Sequence, residues 1–282
     1  MRIMVVILSI CALVLVAGCI GSESPISIGE SKLEYYAKRC PQDSILIYAD
    51  VEKLADVGLS SSDINEKSEI IPGLYIGDTD YQQNTFKRKL GIRKINEIII
   101  VSPYNNLGSG YIIYTGKFKL NKIKEKLKEE GFFETDRYNG FSIYKGYLSG
   151  FLAISNDEKY IILHLAKFYS PRYIIDYLSG KNVENSLYTQ YKKIIKKLPP
   201  NAAWYALMEL DEMGIEKAGM AILVDDEKVK YIIVYEFKND EKAKEFIEDK
   251  LENYKEDYEE IYEKFDFKRE GKYVIVELVE EL

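Results

Sequence analysis

Apolar positions fall into three patterns along the chain. Positions 3–16 are apolar apart from Ser9, with Cys11 in the middle. Residues 20–31 are polar and rich in Gly, Ser and Pro. From Pro41 onward, short apolar runs alternate with charged amphipathic segments and are separated by turn-forming residues. The runs at 98–101, 111–113, 140–145, 151–155, 160–166, 221–224, 231–233 and 271–276 read as strands. Asn105 to Gly110, Asn156-Asp157-Glu158 and Asp225-Asp226-Glu227-Lys228 sit between such runs and predict hairpins. Helices are expected over 31–38 (stopped by Pro41), 120–130, 171–178, 187–197 and 240–264. Asn239 caps the last of these, and Gly131 ends the helix at 120–130. The resulting fold class is α+β, an antiparallel sheet with helices packed on it.

The order of elements repeats. The segment Pro41 to Glu52 aligns with Pro200 to Asp211 at an offset of 159, and the runs at 98–101 and 221–224 align at an offset of 123. Each copy reads as strand, strand, strand, helix, strand. A duplicated body is therefore expected, with halves at 32–197 and 198–282. The first half carries an extra excursion near 53–90, and excursions of that length on a packed scaffold are often functional.

The N-terminus has its own chemistry. Arg2 precedes the apolar stretch, and Val16-Ala17-Gly18-Cys19 closes it. A positive start, an apolar core and small residues before a cut site form an export signal. The last four residues resemble the lipobox of prokaryotic lipoproteins. That resemblance implies cleavage between Gly18 and Cys19, a two-chain lipid with acyl chains such as palmitate on Cys19, and a body anchored to the cell membrane and facing outward. It divides the chain into a signal at 1–18, a lipidated cysteine with its tether at 19–31, and the duplicated body. Residues 20–31 would extend to about 40 Å at most. An uncleaved anchor and plain secretion are the alternatives, and each also places the body outside the cytoplasm. The pairing of Pro41 with Leu198-Pro199-Pro200 at the starts of the two halves resembles exported prokaryotic proteins of unknown function, and supplies no active-site residues.

Composition narrows the chemistry. A formal net charge of -7 argues against nucleic acid as a partner. Residues 236–282 hold 17 acidic and 9 basic side chains, so the acidity is concentrated at the C-terminus. The abundance of Ile, Lys, Glu and Tyr resembles hyperthermophile proteomes and implies an archaeal source. The single histidine, His164, lies in an apolar strand and is expected in the core, as is Trp204. With Cys11 removed and Cys19 lipidated, Cys40 remains as one thiol and is expected to be buried.

Asp78 and Asp80 lack the glycine and terminal glutamate of a calcium loop. Asp225-Asp226 reads as a turn, Ser60 to Ser62 have no base, and Gly108-Ser109-Gly110 is no nucleophile elbow. No catalytic or metal residues and no cofactor are assigned. Tyr254, Tyr258, Ile261, Tyr262 and Phe265 form a stripe expected to dock the last helix on the sheet. The leading expectation is a non-enzymatic surface protein with a binding or envelope role toward a protein or small molecule. A solute-binding lipoprotein of a transporter is the alternative, and an extracellular hydrolase or metal enzyme a lesser one.

Overall fold

The computed structural model describes residues 30–56, 90, 92, 94–103, 110–146, 150–164, 171–181, 183–225, 227–253 and 255–281. Alternation decides the architecture. In strand β1 (Ser44–Asp50) Leu46 and Tyr48 point to one face, while Ile45, Ile47 and Ala49 point to the other. Both faces are apolar, so both must be covered.

Eleven further strands carry the pattern on: β2 (Glu97–Pro103), β3 (Tyr111–Thr115), β4 (Phe132–Tyr138), β5 (Phe141–Gly146), β6 (Phe151–Ser155), β7 (Tyr160–His164), β8 (Trp204–Glu212), β9 (Ile215–Val224), β10 (Lys228–Phe237), β11 (Lys264–Glu270) and β12 (Tyr273–Glu281). All join one antiparallel sheet in the order β11-β12-β10-β9-β8-β1-β2-β3-β7-β6-β5-β4. The class is α+β, as the pattern of runs predicts.

Helices cover both faces. On the first lie α1 (Lys32–Ala37), α4 (Arg172–Leu178) and α5 (Leu187–Ile195), which share a core with Leu46, Tyr48, Ile99, Ile113, Tyr205 and Leu207. The opposite face carries α3 (Leu120–Glu129) over the β2–β7 side. It also carries α6 (Asp240–Phe246), a π-helical turn (Ile247–Glu252) and α7 (Lys255–Ile261) over the β8–β12 side. A short α2 (Val51–Asp56) follows β1. Ser31 caps α1 by accepting from the Glu34 N–H, so residues 30 and 31 belong to the body rather than to the tether. Asn239 caps α6 in the same way, and Gly131 ends α3 in the left-handed region at φ 80°, both as expected.

Two expectations are corrected. The helix expected over 240–264 is three consecutive helical pieces ending at Ile261, and Phe265 lies in β11. Its ring still stacks on Tyr258, with centroids 4.7 Å apart. The strand β4 was not anticipated, so each third strand is followed by helix and hairpin rather than by helix and one strand. Most of the 53–90 excursion, together with Asp78, Asp80 and Ser60 to Ser62, lies outside the described residues.

Candidate functional site

Helix α1 meets the sheet at a half-buried carboxylate. Glu97 opens β2 on the same face as Ile99 and Val101, beneath α1, and its side chain is only 13% exposed. Its Oε2 accepts from the Tyr36 hydroxyl at 2.6 Å and from the Thr115 hydroxyl at 3.1 Å. Its Oε1 accepts from the Tyr48 hydroxyl at 3.1 Å and pairs with Lys32 Nζ at 2.7 Å. Four donors on two oxygens use up the lone pairs of the group.

Burial pushes this carboxyl up, but the Lys32 ammonium and the Tyr36 and Thr115 hydroxyls outweigh it and hold Glu97 below its ordinary value of 4.5. Burial and the adjacent charge of Glu97 push the Tyr36 and Tyr48 phenols far up. Rings continue the contact inward, Tyr36 to Tyr48 at 5.6 Å and Tyr48 to Tyr205 at 5.9 Å. Tyr205 donates to the Pro199 carbonyl at 2.6 Å and accepts from the Ala202 N–H at 2.9 Å. A saturated carboxylate with protonated phenols around it can neither take a proton at neutral pH nor receive a ligand. Its chemistry is that of a clamp between α1 and the sheet centre.

Further clamps occur elsewhere. Buried Glu236 accepts from the Tyr273 hydroxyl at 3.0 Å and pairs with Lys272 at 2.8 Å. On α4, Asp176 accepts from the Tyr138 hydroxyl and from Asn139 Nδ2, both at the tip of the β4–β5 hairpin, and from Lys181. Arg172 on the same helix donates from Nε to Asp136 at 2.8 Å.

The residues singled out from sequence do not converge. His164 is buried at the end of β7 with its ring stacked on Tyr111 at 4.3 Å. Cys40 is fully buried, and burial pushes its thiol up, which removes the thiolate a nucleophile needs. Trp204 is buried where β8 begins. Asp225 makes a turn, accepting from the N–H groups of Glu227 and Lys228, while Asp226 lies outside the described residues. Gly18, Cys19, Ser109 and Tyr254 lie outside them as well. Among the described residues, no group of three His, Cys, Asp or Glu side chains is placed to hold a metal ion. No helix among them is long and apolar enough to cross a membrane.

An open groove of about 340 Å3 runs between the β8–β9 turn and α6, lined by Met213, Gly214, Lys242, Glu245, Phe246, Asp249 and Lys250. Met213 and Gly214 form a two-residue turn with φ of 52° and 78°, the left-handed pair that a tight hairpin requires. Lys242 is paired with Glu245 within the groove, which leaves no concentrated charge there. The Glu97 cluster escaped sequence reasoning because a lone Glu ahead of Ile98-Ile99-Ile100-Val101 looks only like a strand boundary.

Fold and site together define a single-sheet α+β protein in which buried and half-buried carboxylates fasten helices and hairpins to the sheet. No family model matches the chain. It is 26% identical over 296 residues to the uncharacterized protein MJ0635 of Methanocaldococcus jannaschii, covering 98% of this chain and 94% of that one. Among solved structures it is similar to crystal form III of TP0453, at a TM-score of 0.49 and 9% identity over 87% of this chain and 93% of that one. Crystal form I of TP0453 gives the same TM-score at 10% identity.

Proposed function

We propose that this protein is a lipid-anchored, non-enzymatic protein of the outer face of the cell membrane, with a binding or envelope role. The observation that carries the reading is Val16-Ala17-Gly18-Cys19 at the end of an apolar export stretch. Two lipid chains on Cys19 hold a protein stably where one would be reversible. The Glu97 clamp supports the reading mechanically: helix α1, where the described body begins, is fastened to the sheet centre by a charged, half-buried contact, so a pull on the tether is borne by the core. The body itself is two copies of one unit on this proposal. The orders β1-β2-β3 and β8-β9-β10 run outward from the central β1–β8 pair, and α3 and α6 follow each third strand on the same sheet face.

Intact mass spectrometry of protein extracted from its own membranes tests the anchor. The expected species begins at Cys19 and carries a two-chain lipid, and Cys19→Ala abolishes it, releasing the cleaved chain or trapping the precursor. A native species with Met1 to Gly18 attached and Cys19 unmodified would sink the proposal.

A further inference from the structure

Charge differs between the α4–α5 segment on one face and the α6–α7 segment on the other, where α3 holds four basic and two acidic side chains. Residues 171–198, which form α4 and α5, hold six basic and two acidic side chains; residues 240–263, on the other face, hold eleven acidic and four basic ones. Helix α5 turns Leu187, Tyr191, Ile194 and Ile195 into the core, which leaves Lys192, Lys193 and Lys196 exposed on its outer side. Of the acids nearby, Glu34 and Glu30 pair with Lys38, Asp43 accepts from Gln190 and Asp176 pairs with Lys181, while Glu184 stands exposed between α4 and α5. Lys38 and Lys192 flank the Tyr188 ring at 4.9 and 6.0 Å, which joins the outer sides of α1 and α5 into one surface. Tyr173 on α4 stands 54% exposed on this side.

Resting on the anchor reading above, we propose that the α4–α5 face lies against the anionic lipid headgroups of the membrane that holds Cys19. Three observations favour lipid as the occupant. The chain between Cys19 and Glu30 enters the body at α1, beside this surface, and its ten intervening residues reach about 35 Å at most. That tether keeps the face at high effective concentration beside the bilayer. Lysines around the half-buried Tyr188 ring suit a headgroup layer, where Lys meets phosphate and Tyr sits at the apolar boundary. The acidic α6–α7 end of the other face is repelled by the same surface, which disfavours docking through that end.

The test uses full-length protein purified from its membranes, with the mass of residue 19 recorded, then reconstituted into phosphatidylcholine vesicles with or without phosphatidylglycerol. Lysine acetylation is followed by peptide mass spectrometry. Lys192, Lys193 and Lys196 should react roughly fivefold more slowly on the anionic vesicles. High salt should erase the difference, and Lys250 and Lys255 should not change. A triple variant, Lys192→Gln, Lys193→Gln and Lys196→Gln, should keep its thermal midpoint while Lys38 and Lys181 lose their protection.

Equal labelling on both vesicles, with lipid present on Cys19, would overturn this proposal and leave the anchor standing. Protection without lipid on Cys19 would remove the anchor and leave the surface. Protection of the same lysines by soluble polyphosphate as strong as that by vesicles would mark a different occupant and defeat the lipid assignment.

Discussion

Glu97 and Gly219 illustrate two ways in which a single residue holds this sheet to its helices. The Glu97 carboxyl is held below its ordinary value of 4.5, so the stability it contributes is complete above that value. It is lost as the pH falls through the lowered folded value. Glu97→Gln keeps the shape but removes the charge that Lys32 and the three hydroxyls share. It should lower stability by about 2 kcal/mol at neutral pH, and it should flatten the acid limb of the stability profile. Urea unfolding from neutral pH down to about pH 3 checks this; parallel profiles for parent and variant would dismiss the clamp.

Gly219 acts by absence. A Cβ there would stand 2.3 Å from Ile194 Cγ2 and 3.1 Å from Leu198 Cδ1, so α5 rests directly on the β9 backbone. Gly219→Ala should cost about 1–3 kcal/mol, and Ile194→Ala in the same chain should restore part of it, as measured by thermal unfolding. Legibility at this scale divides the same way. His164 and Trp204 sit in apolar runs, and their burial is readable from their neighbours; Cys40 lies between Arg39 and Pro41, and its burial follows from the ordinary preference of a free thiol. Glu97 draws its donors from 18, 49 and 61 positions away, which no local pattern records.

At the scale of elements, the apolar runs revealed the interior strands because both of their faces are buried. The edges were hidden. Strand β4 (Phe-Phe-Glu-Thr-Asp-Arg-Tyr) and strand β11 (Lys-Phe-Asp-Phe-Lys-Arg-Glu) lie at the two ends of the sheet order and carry charge along much of their length. That charge, with the register shift in β4 between Glu134 and Asp136, discourages pairing with another chain and also blurs the alternation that betrays a strand. The tyrosine stripe misled for a related reason: Tyr258, Tyr262 and Phe265 do share one core at helical spacing, but Phe265 reaches it from a strand.

Strand β4 has a sheet neighbour on one side only, so its hairpin depends on α4. Asp176 holds the tip of that hairpin through Tyr138 and Asn139. Asp176→Ala should therefore speed amide exchange in β4 and β5 well beyond that in β8 and β9, with a global loss of about 1–2 kcal/mol. Uniform acceleration across the sheet would show that the hairpin is held by its strands alone.

For the whole molecule, the proposed duplication raises the question of whether the two sides of the sheet are independent. The seam between them is the β1–β8 pair, in which Leu46 faces Leu207, Ile47 faces Ala206 and Tyr48 faces Tyr205. These residues are buried, and the core beneath α1, α4 and α5 takes residues from strands on both sides of the seam. Helix α5 precedes β8 in the chain yet packs on β9 and β10, while α1 packs on α5 and pins Glu97. Neither half can open without exposing apolar surface of the other, so unfolding should be one cooperative event despite the length of the chain.

Calorimetry should return equal calorimetric and van't Hoff enthalpies. Placing a charge at the seam with Ala206→Glu should lower the midpoint seen by two separated reporters to the same extent. One is the fluorescence of Trp204, the chain's single tryptophan, in β8. The other is amide exchange in β6, four strands beyond the seam strand β1. If β6 kept its protection while Trp204 became exposed, the body would be two folding units that merely share an edge, and the sheet's continuity would carry no energetic weight.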